Sequence, residues 1–203
     1  MTRKYIIGLT GNIACGKSAV SAMLAELGAE VIDADRLVHR LMEPRTETWR
    51  DIVSRFGPPI RRPDDSIDRK VLGEVVFRDP LALADLETIL HPATRKLAEE
   101  LIAASERPVV VLEAIKLIEA GWAERVDAVW VVICPREQQI ERLMRDRALT
   151  RAEAELRIDA QNPPEEKVRH ADVLIENAGS LEELRRQVEA AWREIHESTD
   201  ERR

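Results

Sequence analysis

The chain has 203 residues, 44% of them hydrophobic and 34% charged, and carries a net charge of −7. That is long enough for one domain with a core and insertions, too apolar for general disorder, and too negative for a broad basic nucleic-acid surface. Two cysteines, Cys15 and Cys134, make neither a disulfide framework nor a zinc site; no run approaches the roughly 18 apolar residues of a membrane span and no secretory leader is read at Met1–Lys4, so the expected setting is a reducing cytoplasm with no membrane or nucleic-acid partner.

Lys4–Leu9 is apolar and β-branched and reads as the first of five buried strands. Directly after it stand Gly11, Asn12, Ile13, Ala14, Cys15, Gly16, Lys17, Ser18 and Ala19. The first eight satisfy G-x-x-x-x-G-K-[ST]. Glycine lets backbone amides turn inward around an anion, and the next helix points its N-terminus at the phosphates. Lys17 reaches the outer phosphates, and Ser18 offers its hydroxyl to Mg²⁺. The following helix, Lys17–Leu27, carries Val20, Met23, Leu24 and Leu27 on one face, and Gly28 stops it. Strand before and amphipathic helix after are the context the motif requires, so Gly11 to Ala19 are expected to bind a nucleotide. Cys15 reads as a small filler within the loop.

The second strand, Glu30–Asp33, leads into Asp33 and Asp35. If the chain stays extended, both carboxylates face one side, at the strand end where open α/β sheets bind ligands. A carboxylate there takes a hydroxyl proton during phosphoryl transfer. Asp35 reads equally well as the N-cap of the next helix, and Asp33 as a plain turn residue. Residues 36–104 are mostly helical in pattern. Asp79 and Pro80 look like an N-cap and first helical residue, and Leu83, Leu86, Leu90, Leu97 and Leu101 follow at helical spacing. The third and fourth strands are Pro108–Glu113 and Ala128–Cys134. Residues 136–164 are helical and charged, with Arg142, Arg145, Arg147 and Arg151. Arginine suits the spread charge of a transferring phosphoryl group, although such runs are ordinarily solvated faces with Glu/Arg pairs. A weaker strand, Asp172–Ile175, precedes a helix striped with Leu181, Leu184, Val188 and Ile195, and a frayed polar tail begins at Glu197.

These elements describe an α/β protein: a five-stranded parallel sheet flanked by helices, with two helical insertions, at 36–104 and 136–164. No Asp is followed by Gly three residues later and no Asn-Lys pair exists, so the guanine-binding signals of a GTPase are missing. A small-molecule kinase is favoured. The alternatives are a nucleoside-monophosphate or other small-metabolite kinase, and a nucleotide-dependent binding module without phosphotransfer.

Several further stretches resemble the dephospho-CoA kinase family along most of the chain: "GLTGNIACGKSAV", "VIDAD", "RFG" at 55–57, "IDRKVLGEVVF" at 67–77, "LETILHP" at 86–92, "EQQIERL" at 137–143, a glutamine at 161 and "ADVLIENAG" at 171–179. Their order and spacing are more specific than the loop alone. The resemblance implies transfer of the ATP γ-phosphate to the ribose 3′-hydroxyl of dephospho-CoA, with Mg²⁺, by a monomer or small homo-oligomer. It implies a P-loop kinase fold with a nucleotide-binding core at 1–35, 105–135 and 165–203, a helical substrate-binding domain at 36–104 and a helical lid at 136–164. It implies Asp33 as general base, Arg69 and His91 on the substrate side, Asn177 and Gly179 in the adenine loop, and Arg142 with Arg145 or Arg147 over the γ-phosphate. Three departures stand out. Asp146 occupies the usual place of a second lid arginine. Ile115-Lys116-Leu117-Ile118-Glu119 replaces Pro-Leu-Leu-Phe-Glu, bringing in Lys116, which either snorkels or meets a phosphate or the CoA ligand. Asn12 stands where glycine is common. Glu113 is read as a ligand of Mg²⁺-bound water or a charge partner of Lys17.

Overall fold

Valine, isoleucine and leucine runs pair into five strands, β1 (Tyr5–Thr10), β2 (Glu30–Asp33), β3 (Val109–Glu113), β4 (Ala128–Ile133) and β5 (Val173–Glu176), in a computed structural model that describes residues 3–200. The sheet is parallel throughout, in the order β2-β3-β1-β4-β5. β1 is its centre: Tyr5 stands opposite Val109 on one side, and Ile7 opposite Ala128 on the other. Ile7, Leu9, Val110, Val111, Trp130 and Val131 are wholly buried, as strands covered on both faces must be. β1 begins one residue later than the pattern suggested and runs on to Thr10, because Thr10 still pairs with Val131.

Helices α1 (Lys17–Glu26) and α9 (Leu181–Asp200) bury most of the stripes expected of them, with Val20, Met23, Leu24, Leu184, Val188, Trp192 and Ile195 joining the core of the sheet; Leu181, at the first position of α9, is exposed instead. The expected frayed tail is corrected as far as Asp200, which is helical; Glu201–Arg203 lie outside the described residues. The chain divides into two compact units. One comprises the residues up to Ile32 together with those from Ser105 on, and the other runs from Asp33 to Ala104.

The first unit also contains α6 (Arg136–Arg147), α7 (Arg151–Asp159) and α8 (Pro164–Val168). Helices α6 and α7 share a small core of Ile140, Leu143, Ala154 and Ile158, against which Ile13 and Ala14 of the glycine-rich loop pack. Thr150 opens α7 with a capping box to Glu153. The outward charges of these helices pair as a solvated face should: Arg136 with Asp159, and Arg151 with both Glu137 and Glu155. These arginines hold the exposed carboxyls of Asp159 and Glu137 below their ordinary range.

The second unit is α2 (Ala34–Leu41), α3 (Glu47–Phe56), α4 (Arg69–Arg78) and α5 (Pro80–Ala104). Its core is Ile52, Ile60, Ile67 and Leu72, with Trp49, Leu86 and Leu90 packed around them. Asp79 does cap α5, accepting from the Leu81 amide at 2.9 Å, and Pro80 opens the helix. Pro92 lies inside α5, so the helix continues past a residue without an N–H to donate.

Candidate active site

The loop between β1 and α1 is shaped by its glycines. Gly16 sits at φ 99° as the N-cap of α1, and a Cβ there would strike the Asn177 side chain; a Cβ on Gly11 would strike the Val132 carbonyl oxygen. The first turn of α1 has no side-chain cap and no acidic residue. Its amides and the positive end of the helix dipole are therefore available to an anion. Lys17 is only 8% exposed, and its ammonium donates to the carbonyls of Gly11 (2.9 Å) and Asn12 (3.4 Å), so it is folded into the cradle. Ser18 is exposed at the rim.

Side chains from elsewhere in the same unit brace this loop. Asn12 donates to the Asn162 carbonyl (3.0 Å), Gln161 accepts from the Ile13 amide (2.7 Å), and Gln139 donates to the Ile13 carbonyl (3.0 Å). Asn177, buried after β5, donates to the Cys15 carbonyl at 2.8 Å. Arg142 spans the loop and the β5 end: its guanidinium donates to Ala14 O (3.1 Å), Asn177 O (3.2 Å) and the Gln138 side chain (3.2 Å). The structure thus brings Lys17, Arg142 and Asn177 together at one loop. Arg145 turns away into an exposed pair with Asp146, and Arg147 is exposed. Gly179 is exposed where a Cβ would collide with the Glu183 carboxylate. It lines an open depression of about 690 Å³ with Glu176, Ala178, Glu183, Arg186 and Gln187.

Asp33 ends β2 and caps α2, accepting from the Arg36 amide at 3.1 Å, with the Arg36 guanidinium 3.2 Å from its other oxygen. The cap is therefore Asp33, not Asp35. Asp35 lies in the first turn of α2, so the two carboxylates do not sit on one side of an extended strand. Arg69, at the start of α4, lies 2.6 Å from His39 Nε2. That ring nitrogen must accept, which places the imidazole proton on Nδ1. His91 is half-buried on α5.

Glu113 accepts from the Ser21 hydroxyl at 2.5 Å. In the segment after it, Lys116 is exposed, whereas Lys167, from α8, is 3% exposed. The Lys167 ammonium donates to Ile115 O (2.9 Å) and Glu119 (2.8 Å), and the Thr10 hydroxyl reaches the same Ile115 carbonyl at 3.1 Å. A buried ammonium stripped of its carboxylate costs more than the pair is worth. Glu119→Ala is expected to destabilise the protein by about 1–3 kcal/mol. Lys167→Met, which removes the charge and keeps the stem, should cost less. Urea midpoints at unchanged m would measure both, and a milder effect from Glu119→Ala would refute the clamp. Gln139, Gln161, Lys167 and His39 were not among the expected site residues. Gln139 and Gln161 carried a signal, as positions within the matching stretches of the family pattern.

A family profile described as dephospho-CoA kinase matches residues 5–183. The dephospho-CoA kinase of Symbiobacterium thermophilum is 52% identical over 193 residues, covering 93% of this chain and 80% of its own length. That of Geobacter sulfurreducens is 51% identical over 190 residues, covering 92% and 96%. The solved structure of dephospho-CoA kinase from Campylobacter jejuni matches with a TM-score of 0.70 at 30% identity, covering 97% of this chain and 99% of its own.

Proposed function

Because this chain belongs to the dephospho-CoA kinase family, we propose that its phosphate loop and Arg142 hold ATP while Asp33 takes the proton of the acceptor. The reaction is the ATP-dependent phosphorylation of dephospho-CoA at the ribose 3′-hydroxyl, giving CoA and ADP, the final step of CoA biosynthesis. The observation that carries the division of roles is the buried Lys17 ammonium inside a loop whose helix end lacks both a cap and an acidic residue.

On this reading the amides of Gly11 to Ala19 and Lys17 bind the β- and γ-phosphates. Arg142 leaves the Ala14 carbonyl for the γ-phosphate, where its planar fork matches the spreading charge. Asn177 and Gly179 frame the adenine side. Asp33 accepts the 3′-hydroxyl proton as the O–P bond forms. Arg69, His91 and Lys116 bind the acceptor, and residues 36–104 and 136–164 serve as substrate domain and lid. The lid excludes water, which would otherwise take the phosphoryl group.

Ser18 fits Mg²⁺. Among the described residues no group of three or more His, Cys, Asp or Glu could cage a metal, and Mg²⁺ in such sites is held chiefly by phosphates, water and few protein oxygens. With Ser18 as its protein ligand, the ion would neutralise charge on the phosphates during transfer. The test is ADP release from ATP and Mg²⁺ with and without dephospho-CoA, with CoA identified by mass and Arg142→Ala and Arg145→Ala compared. A larger loss with Arg145→Ala than with Arg142→Ala would reassign the lid arginine.

A further inference from the structure

The phosphate loop presses against the end of β4. Thr10 is in register with Val131, and the Gly11 backbone leaves no room for a Cβ beside the Val132 carbonyl. This contact joins two cysteines that are far apart in sequence. Cys15 is buried in the loop, and Cys134 is half-buried one residue past β4. The Cys134 thiol donates to the Ala14 carbonyl oxygen at 3.9 Å, which sets its sulfur beside Cys15, and both residues pack against the same core. The Gln139 amide nitrogen is 2.9 Å from the Cys15 sulfur on another side. Both thiols are free, and the phosphoryl transfer proposed above uses neither.

We propose that Cys15 and Cys134 are a redox pair that a hydroperoxide oxidises to a disulfide, and that this bond disables the phosphate loop. The Cys15 thiol is pushed down, first by the neighbouring Cys134 thiol, then by Gln139 and the Lys17 charge, against the opposing effect of burial. The partner thiol is correspondingly pushed up by its neighbour Cys15 and by burial. Cys15 is therefore the more acidic thiol and the attacking sulfur, and Cys134 the resolving thiol.

The Cys15 thiolate attacks one oxygen of the peroxide. The S–O bond forms, the O–O bond breaks, and hydroxide leaves to be protonated by solvent. The Cys134 sulfur then attacks the sulfenic sulfur. The S–S bond forms, the S–O bond breaks, and the oxygen departs as water with the Cys134 proton. Two electrons leave the sulfur pair, and hydrogen peroxide is reduced to two waters. Closing the bond draws Cys15 toward β4. Its neighbours are Ala14, already at φ 59°, and Gly16 at φ 99°. The Asn177 and Arg142 contacts to Cys15 O and Ala14 O move with them. Displacing positioned groups by about 1 Å costs roughly 10²-fold in rate.

The test treats the full chain with hydrogen peroxide. Peptide mapping is expected to yield a Cys15–Cys134 crosslink two hydrogens lighter than the thiols. Dephospho-CoA-dependent ADP release should fall on the order of tenfold to hundredfold and return with dithiothreitol. Cys134→Ser should keep the basal rate and form no crosslink, and Cys134→Ala serves the same purpose if the serine variant misfolds. The proposal is overturned if peroxide forms no crosslink, if the crosslinked protein keeps its rate, or if the Cys134 variants lose and regain activity as the parent does.

Discussion

Replacing Asp33 by asparagine is expected to lower kcat by about 10²-fold or more, with the KM for ATP nearly unchanged and the fold intact. The substitution separates two jobs of one side chain. Asp33 caps α2 through the Arg36 amide, and asparagine caps helices as well as aspartate does. The ion pair to Arg36 is largely exposed on the arginine side, where such pairs contribute little. What asparagine cannot do is accept the 3′-hydroxyl proton. Asp33→Ala would confuse the issue, since it removes the cap as well, at about 1 kcal/mol. Steady-state kinetics beside a thermal melt give the answer. Turnover equal to the parent's would remove Asp33 from the base role, and a large drop in melting temperature would show that the cap dominates.

Lys17→Ala should lose still more, at least about 10³-fold in kcat/KM, because the charge acts on ground state and transition state alike. The residue is nearly buried, and its ammonium sits within reach of two loop carbonyls, a site sized for a compact point charge. Lys17→Arg is expected to rescue poorly, since a planar guanidinium needs a wider approach. ATP titration separates the two parts of the effect. Unchanged nucleotide affinity in Lys17→Ala would confine the lysine to the chemical step, and unchanged turnover would place the phosphates elsewhere.

Local patterns made much of this legible. The strands announce themselves as β-branched runs, and the phosphate loop as glycines fixed in number between a strand and an amphipathic helix. Both are properties of neighbouring residues. The choice between Asp33 and Asp35 as cap was not legible, because both are good caps and only the point at which the backbone leaves β2 decides. Gln139 lies in the charged run of α6, and Gln161 in the polar turn after α7. Read locally, neither differs from a solvated residue; only the family pattern marks them, and the loop lying against them gives the reason. Lys167 hides in a run of charges and turns out to be buried. Cys15 and Cys134 meet because β4 is the neighbour of β1, and strand order is a long-range property that no local periodicity encodes.

That order also sets a timetable for synthesis. β1 is made first, yet both its partners come late: Tyr5 waits for Val109, and Ile7 for Ala128. The unit from Asp33 to Ala104 is contiguous and emerges in between, so its helices can condense on local contacts while the first strand is still unpaired. The nucleotide cradle hangs from β1 and is braced by Gln139, Arg142, Gln161 and Asn177. Nascent chains arrested before Asn177 should therefore fail to retain ATP, whereas release of the full chain should switch retention on as a late, single step of biogenesis.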